Sequence, residues 1–157
     1  MGVLKIKISK VEISEANDLT ELTLRSKSYW NYGEQQIEAW REELTISEKY
    51  ISENQLYKLE KENQLIGFYA YHAINERDIK LNFLFVEPKY IGMGYGKLLM
   101  IDFMQRMEKS DFRRVFLDAD PNAAQFYEKL GFHIIGKLKS TIKDRFLPIM
   151  EFSINQS

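Results

Sequence analysis

The residues of this chain best suited to chemistry by type and spacing are Gly92-Met93-Gly94-Tyr95-Gly96. They lie between an apolar run, Leu81-Asn82-Phe83-Leu84-Phe85-Val86, and a stretch carrying Leu98, Leu99, Ile101, Phe103, Met104 and Met107 at helical intervals. The order is strand, glycine turn, helix. Pro88 has no N–H to offer a ladder and ends the strand, while the alternating glycines allow consecutive backbone N–H groups to point one way. The positive end of the helix lies behind those amides, so the arrangement is a cradle for an anion such as pyrophosphate.

A glycine turn of this kind has several owners. A P-loop would end in Gly-Lys-Ser/Thr, which is missing here. A dinucleotide fold needs G-x-G-x-x-G, whereas here the third glycine comes one position early and Lys97 stands in its place. That nucleotide-binding reading is kept as an alternative because Arg114-Val115-Phe116-Leu117-Asp118 ends in an acid at about the ribose-binding distance of roughly 20 residues. Against it, a dinucleotide fold usually repeats the unit, and nothing here repeats.

A second stretch, one strand later, separates these readings: Asn122-Ala123-Ala124-Gln125-Phe126-Tyr127-Glu128-Lys129-Leu130-Gly131-Phe132. Together the two stretches resemble the coenzyme A signature of the GCN5-related N-acetyltransferase (GNAT) superfamily, V-x-P-x-x-R/Q-G-x-G-x-G/A followed by N-x-x-A-x-x-F/L-Y-x-x-x-G-F. Neither half is specific alone; the pair at this spacing is. The resemblance covers about Leu81 to Gly136. It implies an α+β (α/β) GNAT fold in a single domain over residues 1–157, a mixed, mostly antiparallel central sheet of six to seven strands flanked by about four helices. It also implies acetyl-coenzyme A (acetyl-CoA) as co-substrate and transfer of its acetyl group to a primary amine of a small molecule or peptide, by direct attack in a ternary complex.

Residue by residue, the resemblance assigns the backbone of Leu84, Phe85 and Val86 to the pantetheine arm, with one strand-end N–H facing the thioester oxygen. Backbone N–H groups of Gly92, Met93, Gly94, Tyr95, Gly96 and Lys97 would take the pyrophosphate, and glycine suits this because a Cβ would hold the phosphate off. Asn122, after Asp120-Pro121, reads as a helix N-cap, and the resemblance adds a hydrogen bond to pantetheine. Tyr127 aligns with the tyrosine that protonates the leaving thiolate; a phenol of pKa ~10 keeps its proton at neutral pH and can donate it as the thiolate forms. Its other reading is a packing ring beside Phe126, with Phe126, Leu130 and Phe132 as core.

Two departures from the pattern matter. Ile91 stands where the superfamily usually has Arg or Gln, which predicts weaker cofactor binding rather than a different ligand. The fourth strand carries Lys80 and Asn82 instead of the usual glutamate base. Asn82 could orient a water, and Glu43 or Glu87 could take the proton. These departures motivate a second function class, a non-catalytic acyl-CoA-binding sensor or interaction domain.

Composition limits the partners. The 157 residues are 45% hydrophobic and 13% aromatic, enough for one compact domain and too few for two nucleotide-binding halves. A formal charge of −1 offers no electrostatic footprint for nucleic acid or an anionic membrane. The absence of cysteine removes disulfides, thiolate nucleophiles and a covalent cysteine intermediate, and two histidines, His72 and His133, cannot make a metal cluster by themselves, so no metal is expected. No run of roughly 18 apolar residues could span a bilayer, and the start of the chain lacks a signal peptide's pattern, so a cytoplasmic location is expected. Met- and aromatic-rich strand surfaces near the C-terminus would allow a homodimer.

The positioning elements follow from periodicity. Val3 to Ile8 alternates as a strand; caps and acids at Ser14–Asp18 start a helix running toward Tyr29-Trp30; a second helix spans about Glu34 to Leu44 with Ile37, Trp40, Arg41 and Leu44 on one side, and Asn31–Gly33 forms the corner between them. Tyr29, Trp30 and Tyr32, with Trp40 behind, either pack these helices on the sheet or, as the resemblance implies, line the acceptor pocket. Glu42 and Glu43 could meet a cationic acceptor or be solvated. An antiparallel meander covers Gln55–Glu60, Gln64–Ala73 and Ile79–Val86, with Gly67 as a bulge or a close backbone approach. His72 reads as a core-edge or surface residue, since no acid is placed to orient it. Strand Arg114–Asp118, helix Asn122–Leu130 and strands Phe132–Lys139 and Arg145–Ile154 complete the chain.

Overall fold

The computed structural model describes residues 5–30, 32–140, 142 and 145–154. Val3 and Leu4 of the expected first strand, and Asn31 of the helix corner, lie outside the described residues. Seven strands are hydrogen-bonded in the order β1-β2-β3-β4-β5-β7-β6. They are β1 Ile6–Lys10, β2 Gln55–Lys61, β3 Gln64–Ala73, β4 Asp78–Val86, β5 Arg114–Asp118, β6 His133–Lys139 and β7 Phe146–Ser153. The meander and the strand at Arg114 stand where alternation and turn residues placed them. The β4–β5 pair is parallel, as a helical crossover requires, and β5–β7 and β6–β7 are antiparallel. This mixed sheet is not the repeated parallel unit of a dinucleotide fold, which removes the nucleotide alternative at the level of topology.

Among the described residues six α-helices stand where about four helices were expected: α1 Ala16–Ser28, α2 Glu34–Ala39, α3 Arg41–Leu44, α4 Glu48–Glu53, α5 Tyr95–Glu108 and α6 Ala124–Lys129. The helix expected over Glu34–Leu44 breaks at Trp40, whose N–H is shared between the carbonyls of Gln36 and Ile37, both at 3.1 Å. That tightened turn carries the Trp40 ring into the interior, while Arg41, expected on the same face, is exposed. Helix α4 was not legible because it is only six residues long; it is set by Ser47, whose Oγ accepts the Tyr50 N–H at 3.0 Å.

The chain forms two compact units, Met1–Tyr71 with Phe83–Met104, and His72–Asn82 with Gln105–Ser157. In the first, Leu19 and Leu22 of α1 join Ile46, Ile51, Leu56, Phe68 and Ala70 in one core, with Phe83 and Phe85 packed against it. Thr20 ties the segment before α4 to α1 by accepting the Ile46 N–H at 2.8 Å. Tyr69 and Tyr71 point toward α5, where each meets Phe103 edge-on at 5.4 and 5.3 Å between ring centroids. The Tyr69 hydroxyl donates to Asp102 at 2.6 Å, which lets a phenol sit fully buried. Leu99, Met100 and Phe103 are the inner face of α5, but Leu98 and Ile101, expected there, are exposed.

Gly67 is the close approach. A Cβ built there would lie 2.6 Å from the Phe85 carbonyl oxygen and 3.3 Å from the Val86 Cα, both backbone, with Leu99 at 3.1 Å. The β2–β3 register shifts beside it, between Leu59 and Glu60. Gly67→Ala is therefore expected to cost about 1–3 kcal/mol, because backbone cannot swing aside as a side chain can. A denaturant midpoint unchanged from the parent would show that β3 and β4 separate freely at this point.

In the second unit Val115, Leu117 and Met150 are the inward residues of β5 and β7. The turn into β4 is fastened at Asp78, whose carboxylate accepts from the Asn75 amide at 2.9 Å and from Arg114 at 3.0 and 3.2 Å. Those bonds, Asn75 first and Arg114 second, hold the Asp78 carboxyl below its usual range against the opposing cost of burial. A carboxyl depressed in the fold stabilises it above the unfolded pKa of about 3.9, and the contribution disappears as pH falls through the folded value. Asp78→Asn should thus flatten the acid limb of stability in that window; a circular-dichroism acid titration with the parent's slope would exclude Asp78 as a contributor.

Candidate active site

The glycine turn is built as a short 3₁₀ turn, Pro88–Tyr90, followed by two glycines in the left-handed region, Gly92 at φ +86° and Gly94 at φ +89°. Nothing lies within 4 Å of a Cβ built on either one, so both face open space. Gly96, the third of the series, instead sits in the first turn of α5. The Leu98 N–H bonds the Gly94 carbonyl at 3.1 Å, and the N–H groups of Tyr95, Gly96 and Lys97 before it are the orphan donors of the helix start. The Met93 N–H donates to the Tyr90 carbonyl at 3.3 Å, so this amide is engaged inside the turn. Ile91, half-buried, is held by its own N–H on the Pro88 carbonyl at 3.2 Å.

Leu84, Phe85 and Val86 end β4. The Glu87 N–H bonds the Ile66 carbonyl of β3 at 2.7 Å, so pairing with β3 persists to the end of the strand. The parallel register with β5 runs only from Asp78↔Arg114 to Lys80↔Phe116, although β4 continues to Val86. Glu87, one of the candidate bases, has both oxygens on the Arg25 guanidinium, at 2.7 and 2.9 Å. This bidentate pair holds it as a structural anion. The two residues are 62 apart in sequence, which is why the sequence did not disclose it.

In the other unit, Asn122 does not cap helix α6. Asp120 instead caps the 3₁₀ turn Pro121–Ala123 that precedes it, its carboxylate accepting the Asn122 N–H at 2.9 Å, and α6 starts after Ala123 with no side-chain cap of its own. Asn122 is exposed. Tyr127 is buried, edge-on to Phe126 and Phe132 at 5.2 and 5.6 Å. Phe132 is core; Phe126 and Leu130 are only half-buried. Burial, and after it the negative charge of Asp120, pushes the Tyr127 phenol well above its usual pKa, so the group keeps its proton throughout the neutral range. Lys80 pairs with Asp118 at 2.7 Å. Asn82 contacts His72 through Nδ2···Nδ1 at 2.8 Å, an orienting partner for the imidazole that sequence spacing did not reveal.

The aromatic corner divides into pairs. Tyr29 and Trp30 meet edge-on at 4.9 Å and are exposed at 48% and 40%. Tyr32 meets the buried Trp40 at 4.9 Å, and the Lys27 ammonium lies over both rings at 5.3 and 5.2 Å. Trp40 is therefore a packing residue, while Tyr29 and Trp30 remain open to a ligand.

The sequence profile described as acetyltransferase (GNAT) domain matches residues 28–150, which includes both motifs. The chain belongs to the GNAT acetyltransferase family. Among GNAT relatives, the peptidyl-lysine N-acetyltransferase YiaC of Escherichia coli (strain K12) is 30% identical over 129 residues, 82% of this chain and 84% of that protein. The uncharacterized N-acetyltransferase ycf52 of Gracilaria tenuistipitata var. liui is 27% identical over 89 residues, 57% of this chain. The match covers 49% of that protein, so the chain spans about half the length of the ycf52 relatives it matches. The PaiA N-acetyltransferase of Thermoplasma acidophilum, solved in complex with coenzyme A, superposes with a TM-score of 0.78 at 24% identity, over 95% of this chain and 99% of that one. The GNAT fold, an α+β arrangement around a mixed seven-stranded sheet, is thus shared.

Proposed function

We propose that this chain is an acetyl-CoA-dependent N-acetyltransferase that acetylates a primary amine of a peptide or small molecule by direct attack in a ternary complex. The observation that carries the reading is the glycine turn: two left-handed glycines with open space at their Cβ positions, leading into three helix-start amides. That is the shape and polarity a pyrophosphate needs. Gly92, Gly94, Tyr95, Gly96 and Lys97 hold it through N–H groups, with the Lys97 side chain in a minor role and Met93 contributing shape. Coenzyme A, when bound, supplies the activated thioester. Backbone groups of Leu84 to Val86, which lie beyond the last registered pair with β5, orient the pantetheine arm. The exposed Asn122 side chain adds a hydrogen bond there, and Tyr127 keeps a proton for the leaving sulfur.

Peptide amines are the first acceptors to try, because YiaC is named for peptidyl-lysine. Tyr29 and Trp30 supply apolar area for the acceptor, with Tyr32 and Asn82 as secondary contacts. The profile match crosses both compact units, which supports treating residues 1–157 as one acetyltransferase domain. The reading places the reaction in the cytoplasm; among the described residues no helix is long and apolar enough to cross a membrane. A homodimer fits the same reading: Ile134, Ile135 and Leu138 on β6, at the end of the strand order, and Phe146 on β7 are exposed. Sedimentation at micromolar concentration checks it, a monomer being the contrary result.

The deciding experiment is a thermal-shift titration with acetyl-CoA beside NADH, then thiol release over a panel of amines: a lysine peptide with blocked ends, a peptide with a free α-amine, and a polyamine. Stabilisation by the coenzyme alone, with thiol released to one class, is the expected outcome. No response to acetyl-CoA overturns the proposal. Stabilisation without thiol release points to the sensor reading, which the Ile91 substitution and the missing strand glutamate favour.

A further inference from the structure

Attack on a thioester requires a neutral amine, yet a lysine-type amine with pKa of about 10.4 is an ammonium at neutral pH. Something must take its proton. The carboxylates on and beside β4 are each committed to a cation: Glu87 to Arg25, Asp78 to Arg114, and Asp118 to Lys80. Protonating any of them would dissolve an ion pair. Glu42 and Glu43 are exposed on α3. His72 differs from all of these. Imidazole is the side-chain type that exchanges a proton near neutral pH, and this one lies half-buried on β3 with Nδ1 at 2.8 Å from the Asn82 amide. Among the described residues no other group hydrogen-bonds its ring. Asn82 stands on β4 two residues before Leu84, where the strand is assigned to the pantetheine arm.

We infer that His72 is the proton acceptor for the amine substrate and that Asn82 is its positioning residue. This rests on the acetyl-transfer reading and names the base that reading lacks. An amide presents an oxygen or an NH₂ to the same partner by a half-turn. In the structure the Asn82 NH₂ faces Nδ1; with the amide turned so that its oxygen meets Nδ1–H, the lone pair lies on Nε2, which has no hydrogen-bond partner among the described residues. Nε2 takes one proton from the ammonium, and both ring N–H groups of the imidazolium are then donors, Nδ1–H to Asn82. The freed nitrogen lone pair forms the N–C bond as the C–S bond breaks. The departing thiolate takes the Tyr127 proton, the second proton lost by the acylated nitrogen returns to the tyrosine by way of solvent, and the His72 imidazolium releases its proton to solvent, one proton per turnover. Protons balance, no oxidant or reductant is needed, and the products are the amide and free thiol.

The test uses the full chain with acetyl-CoA and whichever amine of the panel above is turned over fastest. Both kcat and KM are read from thiol release, and coenzyme binding from the thermal shift. His72→Gln and His72→Ala are expected to lose about 10²-fold in kcat with the coenzyme shift intact. Added imidazole should restore a measurable part of the His72→Ala rate and do nothing for the parent. Asn82→Ala should lower kcat about tenfold with KM little changed, the cost of an unfixed tautomer rather than of a lost substrate contact. His72→Gln turning over within twofold of the parent overturns the inference, and so does a His72→Ala variant that folds, binds coenzyme and ignores imidazole. A parent that neither binds coenzyme nor releases thiol overturns the acetyl-transfer reading itself before any variant is compared.

Discussion

Tyr127→Phe is expected to lower kcat for thiol release by 10²- to 10⁴-fold, the usual worth of a placed general acid, while stability and coenzyme affinity stay near the parent's. The ring is buried and edge-on to Phe126 and Phe132, and Phe retains every one of those contacts. Only the hydroxyl is removed. Burial raises the phenol's pKa, with Asp120 adding to it, so the neutral form is favoured in the fold and the proton is available at every pH below the ordinary phenol range of about 10. No alkaline loss of activity below that pH should therefore trace to this group. The same raised pKa makes ionisation destabilising: the stability associated with neutral Tyr127 is complete below the unfolded pKa and is lost as pH rises beyond it. Thiol release at saturating acetyl-CoA is the measurement. A Phe variant that turns over at the parent's rate would remove Tyr127 from the chemistry, and a parent without turnover whose coenzyme response is unaltered by the change would leave the sensor reading standing.

Gly94→Val is expected to weaken acetyl-CoA by about 10²- to 10⁴-fold, equivalent to losing two charge-assisted hydrogen bonds at roughly 1.5–3 kcal/mol each. At φ +89° the backbone is in a region that a β-branched residue adopts only under strain. Space is not the obstacle, since nothing lies within 4 Å of the Cβ position. The valine instead drives the peptide out of its conformation, turning the amides away, and its side chain occupies the volume in which a phosphate would sit. Strain alone must be separated from loss of the cradle. Gly33 provides the control: it too has positive φ, at +81°, with open space around its Cβ, but it precedes α2 rather than the glycine helix. Gly33→Val should show a comparable loss of stability and unchanged coenzyme affinity by isothermal titration. Equal loss of affinity in both variants would mean that the glycine turn is not the coenzyme's anchor.

Much of this was legible in the sequence because it is local. Alternating residues and the turn residues between them located β2, β3 and β4, and Pro88 ended the last of these because a proline cannot donate to a ladder. The spacing of Gly92 and Gly94 disclosed a backbone that only glycine adopts without cost, and both indeed have positive φ. The paired motifs were enough for the family, since each reports a chain segment whose conformation is set within about ten residues. Helix faces were less secure: Leu98 and Ile101 belong to the apolar pattern of α5 and are nonetheless exposed, because apolar residues also make up much of a folded surface.

Pairings across the chain were decided by the tertiary structure. Glu87 looked like a free carboxylate until α1 brought Arg25 to both of its oxygens. Asn82 read as a residue that could orient a water, and His72 as a core-edge or surface histidine, until β3 and β4 brought them within 2.8 Å. Asn122 read as the cap because capping preferences rank Asn and Asp alike, and only the path of the backbone placed Asn122 inside a 3₁₀ turn that Asp120 caps, ahead of α6. The division has one physical cause. Turns, strand ends and glycine conformations depend on nearest-neighbour sterics, which residue types encode directly. Ion pairs, orienting hydrogen bonds and the burial that raises the Tyr127 pKa depend on sheet register and on which helix covers which strand, and these exist only once the whole chain has folded.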